Sequence, residues 1–365
     1  MTRCRTCSSP AGADSPVSHA DSRLTPWEWP AALFRVARDR AYESFGTLPA
    51  ARDTPAGRYF SSKLLGLGCR HNGSRGYVLY HGNFFDPRTY AGLEQGGIAW
   101  IRADELARFN REILPRLERP IVLVTAECDW SVPRDTPAEC ETLARSGRIR
   151  RWFANNPSDD TYGDLLTPLP IGVNYSLKHT LSRTGDRPDD HYYRDDAIAP
   201  VAQDAIWAAA AAVPLAARRP LAFGDFCLNN SSRSRRFGES RADIHAALRP
   251  SGCVVFPERR LPPGQLVAAY GRHAFVVSPH GNGLDCYRTW LALICGCIVI
   301  VKRSPLDRLY ANLPVVIVER WDEVTPANLG HWLGRFGPQF DRTRLQQVLS
   351  LAYWQAELAR VAAGP

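Results

Sequence analysis

Residues 275–290 read FVVSPHGNGLDCYRTW, and the rest of the chain is best read outward from them. An apolar, β-like run from Ala274 to Ser278 gives way after Pro279 to a Gly281-Asn282-Gly283 turn, and a helical pattern from Cys286 to Cys295 follows. In an open α/β sheet, a turn of this kind lies at the carboxyl end of its strand, where ligands bind. Backbone N–H groups at a helix start lack partners and carry the positive end of the helix dipole, and glycines let an anion come close to the backbone. His280 and Arg288 add cationic groups. The same residues also suit an ordinary βα turn, with Asp285 as the helix N-cap and Arg288 three positions on. One glycine-rich turn leaves both readings open.

The elements around this stretch alternate. Upstream, Leu221 to Phe226 reads as a strand, Glu239 to Leu248 as a helix, Gly252 to Phe256 as a strand and Gly264 to Tyr270 as a helix; downstream, Ile298 to Lys302 and Val315 to Val318 read as strands. Such alternation predicts a parallel sheet with helices on both faces. The first half repeats the theme less cleanly, with strands at Tyr77 to Tyr80, Ile98 to Ile101, Ile121 to Thr125, Ile149 to Phe153 and Leu166 to Ile171. Ala103 to Leu117 carries apolar residues at helical spacing, as does Trp27 to about Ala51. The segment between Leu181 and Asp196 is polar and reads as a loop, and the Ala-rich stretch interrupted by Pro214 marks the join between the halves.

The length of 365 residues favours two domains. Hydrophobic residues at 45% and charged residues at 22% exclude a wholly disordered or collagen-like chain. The longest apolar run, Leu291 to Val301, is far shorter than the ~20 residues a membrane-spanning helix needs. The formal charge of +8 favours anionic partners, but no run of five or six basic residues marks a nucleic-acid tail. The ten cysteines are sparse and irregularly spaced, and only Cys4 and Cys7 form a C-x-x-C. The first 26 residues are polar with no apolar core, so they read as a disordered segment, and a cytoplasmic location is the expectation.

The stretch from Ser278 to Trp290, continued by Gly296-Cys297-Ile298, Lys302, Ser304-Pro305-Leu306 and Leu309-Tyr310, resembles the donor half of exostosin-like glycosyltransferases of GT-B fold. Ile121 to Pro133 (IVLVTAECDWSVP), Arg151 to Asn156 (RWFANN) and Leu169 to Tyr175 (LPIGVNY) resemble elements of the same family's acceptor half. The resemblance implies an α/β, GT-B-like chain: two facing Rossmann-like domains with a C-terminal helix crossing back. The expected limits are 27–215 for the acceptor side, 216–335 for the nucleotide-sugar side and 336–365 for the returning helix, with Thr343 to Ala362 helical. It further implies an enzyme, a hexosyl- or pentosyltransferase, moving a sugar from a nucleotide donor, with uridine diphosphate favoured, to a glycan, protein-linked glycan or other hydroxyl acceptor. No nucleic-acid partner, membrane span or cofactor is expected.

The resemblance also implies which residues do this: the loop that carries Arg236 is similar to the family's arginine-bearing loop, and Asp129 stands where the family keeps an aspartate. No D-x-D occurs in the chain, so a bound metal is not required, and the leaving diphosphate would be stabilised by helix N–H groups and cationic side chains. The expected donor-binding set is Arg236, from the loop Asn229 to Arg236, with His280, Gly281, Asn282, Gly283, Asp285, Arg288 and Lys302. Asp285 would meet hydroxyls, since a carboxylate beside a pyrophosphate is repulsive. The expected base for the acceptor hydroxyl is Asp129, with Glu127 as the alternative, and a carboxylate in that role needs a site that raises its pKa. One departure stands out: the family keeps an acidic residue after the tryptophan, for the ribose hydroxyls, and Leu291 stands there. A leucine accepts no hydrogen bond. Another group takes the role, Asp285 being nearest, or the donor binds weakly, or the chain is a glycan- or nucleotide-binding protein that has lost turnover.

Overall fold

The computed structural model describes residues 59–73, 85–175, 200–228, 237–337, 345 and 349–364. Contacts group the chain into Met1–Ala50 and Ala51–Pro365, and every described residue belongs to the second group. Outside the described residues lie the N-terminal segment with Cys4 and Cys7, the expected helix from Trp27, the expected strand Tyr77 to Tyr80, the loop between Leu181 and Asp196, Arg236 and the expected helix start at Thr343.

The first half runs helix α1 (Ser62–Gly68), strand β1 (His71–Asn72), strand β2 (Ile98–Arg102), helix α2 (Leu106–Glu112), strand β3 (Ile121–Ala126), helix α3 (Pro137–Arg145), strand β4 (Ile149–Ala154) and strand β5 (Leu166–Pro168). The strands form one sheet in the order β1-β2-β3-β4-β5, with every pair parallel. All six residues of β3 are buried, as a continuous apolar run in the middle of a parallel sheet should be. Two elements are shorter than their apolar patterns suggest. Pro115 turns the end of the expected 103–117 helix into a 3-10 turn, Leu114–Arg116, and Pro168 and Pro170 deprive β5 of the N–H groups that would extend it.

The second half runs helix α4 (Pro200–Ala212), strand β6 (Arg219–Phe223), helix α5 (Arg241–Leu248), strand β7 (Val254–Val255), helix α6 (Pro263–Arg272), strand β8 (His273–Val277), helix α7 (Tyr287–Ile294), strand β9 (Ile298–Lys302), strand β10 (Val315–Val318), helix α8 (Pro326–Phe336) and helix α9 (Leu351–Ala363). Its strands are again all parallel, in the order β7-β6-β8-β9-β10. The Ala-rich α4 stops two residues before Pro214, whose ring disfavours helical geometry in the residue before it.

Both sheets are covered on both faces. In β3, Val122, Val124 and Ala126 face one apolar cluster while Ile121 and Leu123 face another; in β9, Val299 and Val301 separate in the same way from Ile298 and Ile300. This is the period-two alternation of a strand. The cluster holding Val122 and Val124 also holds Val276, Val299 and Val301, so a continuous core joins the halves. Helix α9 packs over β2, β3 and β4 of the first sheet, with Leu351, Trp354 and Leu358 buried at helical spacing and Trp354 5.5 Å from the Phe60 ring. The architecture is therefore α/β and GT-B-like in plan: two Rossmann-like sheets, with a C-terminal helix that crosses back to the first.

Candidate functional site

The order β7-β6-β8-β9-β10 contains a topological switch. From β6 the chain goes to β7 on one side, and after β7 it returns to β8 on the other, so the loops leaving β6 and β8 diverge and open a crevice at their carboxyl ends. The residues after β8 fill one wall. Gly281 N donates to Gly283 O at 2.9 Å to close the turn, and α7 starts at Tyr287 with Cys286 as its N-cap, one position later than Asp285. Two arginines flank the turn. Arg288 reaches back to the β6 loop, its Nε donating to Asp225 O at 3.0 Å. Arg241, at the start of α5, donates from Nε to His280 O at 2.8 Å, and a Cβ on Gly281 would stand 2.9 Å from its Nη2. Burial, and next the charge of Arg288, hold the Arg241 guanidinium below the usual arginine range. Two neighbouring cations at a glycine turn form a site suited to a doubly charged anion.

The other residues expected to bind a donor spread along the same sheet edge. Asn282 is exposed at the tip of the turn, and His280 is half-buried, with Nε2 3.2 Å from Glu239 O and its ring edge-on to Phe237. Lys302, at the end of β9, pairs its ammonium with the Glu239 carboxylate, and Trp321 Nε1 donates to the same oxygen at 3.1 Å. Leu291 packs partly buried against the shared core. Arg236 lies outside the described residues.

The two halves meet through a polar seam. Glu127 and Asn156, which follow β3 and β4, both adopt left-handed backbone conformations, with φ of 54° and 53°. Such geometry costs a non-glycine residue about 1 to 3 kcal/mol. Both side chains reach the segment 283–287. Asn156 Oδ1 accepts from Asp285 N at 2.8 Å, and a Cβ on Gly283 would stand 2.7 Å from Asn156 Nδ2. Glu127 accepts from Ser62 Oγ and from the Tyr287 hydroxyl, with Lys63 Nζ at 3.8 Å. Asp285 is buried, and its carboxylate accepts from Ile171 N at 2.7 Å, Cys286 N at 2.8 Å and Trp290 Nε1 at 2.8 Å. Burial pushes its pKa up to about 7 against the pull of those donors. Asp285 thus ties the halves together with a carboxylate already supplied with donors. Asp129, two positions after Glu127, is exposed at the loop surface.

No protein-family model and no curated protein matches the sequence. Among solved structures the chain is similar to α,α-trehalose-phosphate synthases. It is 12% identical to the UDP-forming enzyme of Burkholderia vietnamiensis, covering 76% of this chain and 75% of that one with a TM-score of 0.40. The Burkholderia xenovorans enzyme in complex with glucose-6-phosphate is also 12% identical, with 76% of each chain covered and a TM-score of 0.39. The Burkholderia multivorans enzyme is 12% identical, with 76% and 73% covered and a TM-score of 0.41.

The structure brings His280, Gly281, Gly283 and Arg288 together at the switch point, places Lys302 farther along the edge beside Glu239, and puts Asp285 in the seam. Arg241 and Glu239 are the residues that sequence reasoning missed. Arg241 begins a helix behind the Ser240 capping box, a signal for the helix but not for an arginine facing a turn 39 positions downstream. Among the described residues no group of three or more His, Cys, Asp or Glu is placed to hold a metal ion, and no helix is long and apolar enough to cross a membrane.

Proposed function

We propose that the protein is a glycosyltransferase that moves a sugar from a nucleoside diphosphate, uridine diphosphate in the first instance, to a hydroxyl of a glycan or protein-linked glycan. The observation that carries this reading is the coincidence of the second sheet's switch point with the Gly281–Gly283 turn and the adjacent Arg241 and Arg288. On this reading residues 27–215 form the acceptor side and 216–335 the donor side, with 336–365 as the bracing segment. The arginines and the N–H groups of the turn hold the diphosphate and stabilise the charge it gains on leaving, so no metal is needed for that step. In an inverting transfer the acceptor oxygen bonds to the anomeric carbon as its proton passes to a carboxylate. The bond from that carbon to the diphosphate oxygen breaks, and its electron pair leaves with the diphosphate. Asp129 is the proposed base, because it is the exposed acid of the β3 loop while the Glu127 carboxylate is taken up by Ser62, Tyr287 and Lys63.

Calorimetric titration with uridine diphosphate in chelator tests the donor site, using wild type, Arg241→Gln and Arg288→Ala. Binding by the wild type, weakened at least tenfold in both variants, is the expected result. Absence of binding to any nucleoside diphosphate would remove the donor site and with it the function. A donor-hydrolysis assay then compares Asp129→Asn with Glu127→Gln; a fall in turnover of two orders of magnitude or more at unchanged donor affinity is expected of Asp129→Asn.

A further inference from the structure

Helix α4 turns an apolar face to water. Between Asp204 and Arg218 no side chain is polar. Gln203, Trp207, Ala210 and Ala211 are buried on the inner side, while Ala205, Ile206, Ala208, Ala209, Ala212 and Val213 are exposed on the other. Ile206 and Val213, about two turns apart, keep 39% and 37% of their surface in water. A helix that is apolar all round is ordinarily covered on every side. Beside this face α4 packs closely on α6, where a Cβ on Gly271 would stand 3.5 Å from Ala210 Cα. The two helices leave a shallow groove lined by Ala210, Val213, Ala268 and Gly271, together with Arg219 and Arg272. No acidic side chain lines it, and among the described residues neither arginine pairs with a carboxylate. Burial, with the charges of Arg219 and Arg272 added to it, holds His273 below the usual histidine range, so the two cations converge on one spot.

We propose that the outer face of α4, with Arg219 and Arg272 at its end, is a docking surface for an anionic lipid bilayer. Two properties select this occupant. A protein interface carries about one hydrogen bond per 100–200 Å², and residues 205–217 have no side chain that makes one. The acyl region of a bilayer asks for none, provided the backbone is satisfied within its helix. The second property is charge: unpaired arginines beside the apolar face complement acidic headgroups, and two of them near such a surface strengthen binding about thirtyfold. Neither property is enough alone. Four of the six exposed side chains are alanine and bury little apolar area, and two charges are screened beyond a Debye length. Together they give reversible, salt-sensitive attachment, and among the described residues no helix crosses the membrane. Arg219 opens β6 and Arg272 immediately precedes β8, so this surface lies at the amino ends of the strands. The glycine turn lies at their carboxyl ends, so attachment leaves the crevice open, and the proposal is independent of the donor-site reading.

The test is co-sedimentation of the full chain with phosphatidylcholine vesicles, with and without phosphatidylglycerol, at low and high salt. The variants are Ile206→Glu/Val213→Glu and Arg219→Gln/Arg272→Gln. Arg88→Gln/Arg145→Gln, which removes two exposed arginines of the first half, controls for net charge. Each is first matched to wild type by thermal unfolding. Wild type is expected to bind phosphatidylglycerol vesicles at least about tenfold more tightly than phosphatidylcholine alone, and to be released by salt. The Arg219/Arg272 variant loses about tenfold or more, the Ile206/Val213 variant loses binding altogether, and the control stays within about threefold of wild type. A control that falls as far as the Arg219/Arg272 variant would reduce the effect to net charge and overturn the proposal, as would binding that survives both glutamates. A wild-type protein that ignores acidic vesicles would overturn it too. If sedimentation velocity then shows a dimer that Ile206→Glu/Val213→Glu splits, a second copy of the chain covers the face instead.

Discussion

The Tyr287 hydroxyl donates to both carboxylate oxygens of Glu127, at 3.0 and 3.2 Å, across 160 positions of sequence. Tyr287 is the first residue of α7, beside the glycine turn, and Glu127 is the left-handed residue that follows β3. The contact therefore couples the start of a helix in the second half to the first-half loop that carries Asp129. Tyr287→Phe removes a hydrogen bond to a charged acceptor at a buried site and is expected to cost about 1.5 to 3 kcal/mol. Urea unfolding would show this as a lower midpoint at unchanged slope; an unchanged midpoint would mean that Ser62 and Lys63 satisfy Glu127 without it.

Gly283 offers a sharper test of the seam, because the constraint on it is space. A methyl group there would stand 2.7 Å from Asn156 Nδ2 and 3.0 Å from Asn156 Cγ. Asn156 has little freedom to withdraw, since Nδ2 donates to Cys128 O at 2.9 Å while Oδ1 accepts from Asp285 N. Gly283→Ala is expected to destabilise by about 1 to 3 kcal/mol through overpacking. The double variant with Asn156→Ala should lose less than the sum of the two single changes, a coupling readable in a double-mutant cycle. Strict additivity would show that the two residues do not press on each other.

What the sequence reveals of this molecule is what is local in it. Strands β8, β9 and β3 read directly from the chain, because a strand buried on both faces must be a continuous apolar run, and the glycine turn after β8 announces the helix that follows. Helix α3 escapes such reading because it buries only Cys140 and Leu143, and α8 because Gly330 and Gly334 weaken its helical pattern. The site is legible only in part for a different reason. That Asp285 would receive the backbone N–H of Ile171, 114 positions earlier, or that Lys302 would be matched by Glu239, depends on how two sheets approach and how one sheet is ordered. No local pattern carries that information. Arg241 resembles the neighbouring arginines at 233, 235 and 236 until the strand order places it under the turn.

Arg218 shows how the connecting helix is held to the second sheet. Its side chain is buried, and Nη2 donates to the carbonyls of Ala210, Val213 and Cys295 at 3.1, 3.0 and 2.9 Å while Nη1 donates to Tyr270 O at 3.2 Å. These carbonyls belong to the C-terminal ends of α4, α7 and α6, so one guanidinium meets three helix ends that each carry partial negative charge. Arg218→Met would strand those carbonyls and is expected to cost at least about 3 kcal/mol. Arg218→Lys should recover only a part, because one ammonium cannot span the same fork of acceptors. Chemical denaturation of the two variants separates these outcomes; full recovery by lysine would show that charge alone matters.

Asp285 makes the stability of the fold depend on pH with a definite sign. Burial raises its carboxyl from 3.8 to about 7, so between these values the native state keeps a proton that the unfolded chain has released. Stability then falls as pH rises through that window, and the full cost is present above pH 7. At ~1.4 kcal/mol per pKa unit, the change across the window is on the order of 4 kcal/mol. Other groups titrate in the same range, so the useful quantity is the difference in unfolding free energy between wild type and Asp285→Asn, which cancels them. That difference should move against the wild type from pH 4 to pH 7 and then level off. Should it stay flat, the N–H groups of Ile171, Cys286 and Trp290 outweigh burial, and Asp285 holds the halves together as a carboxylate throughout.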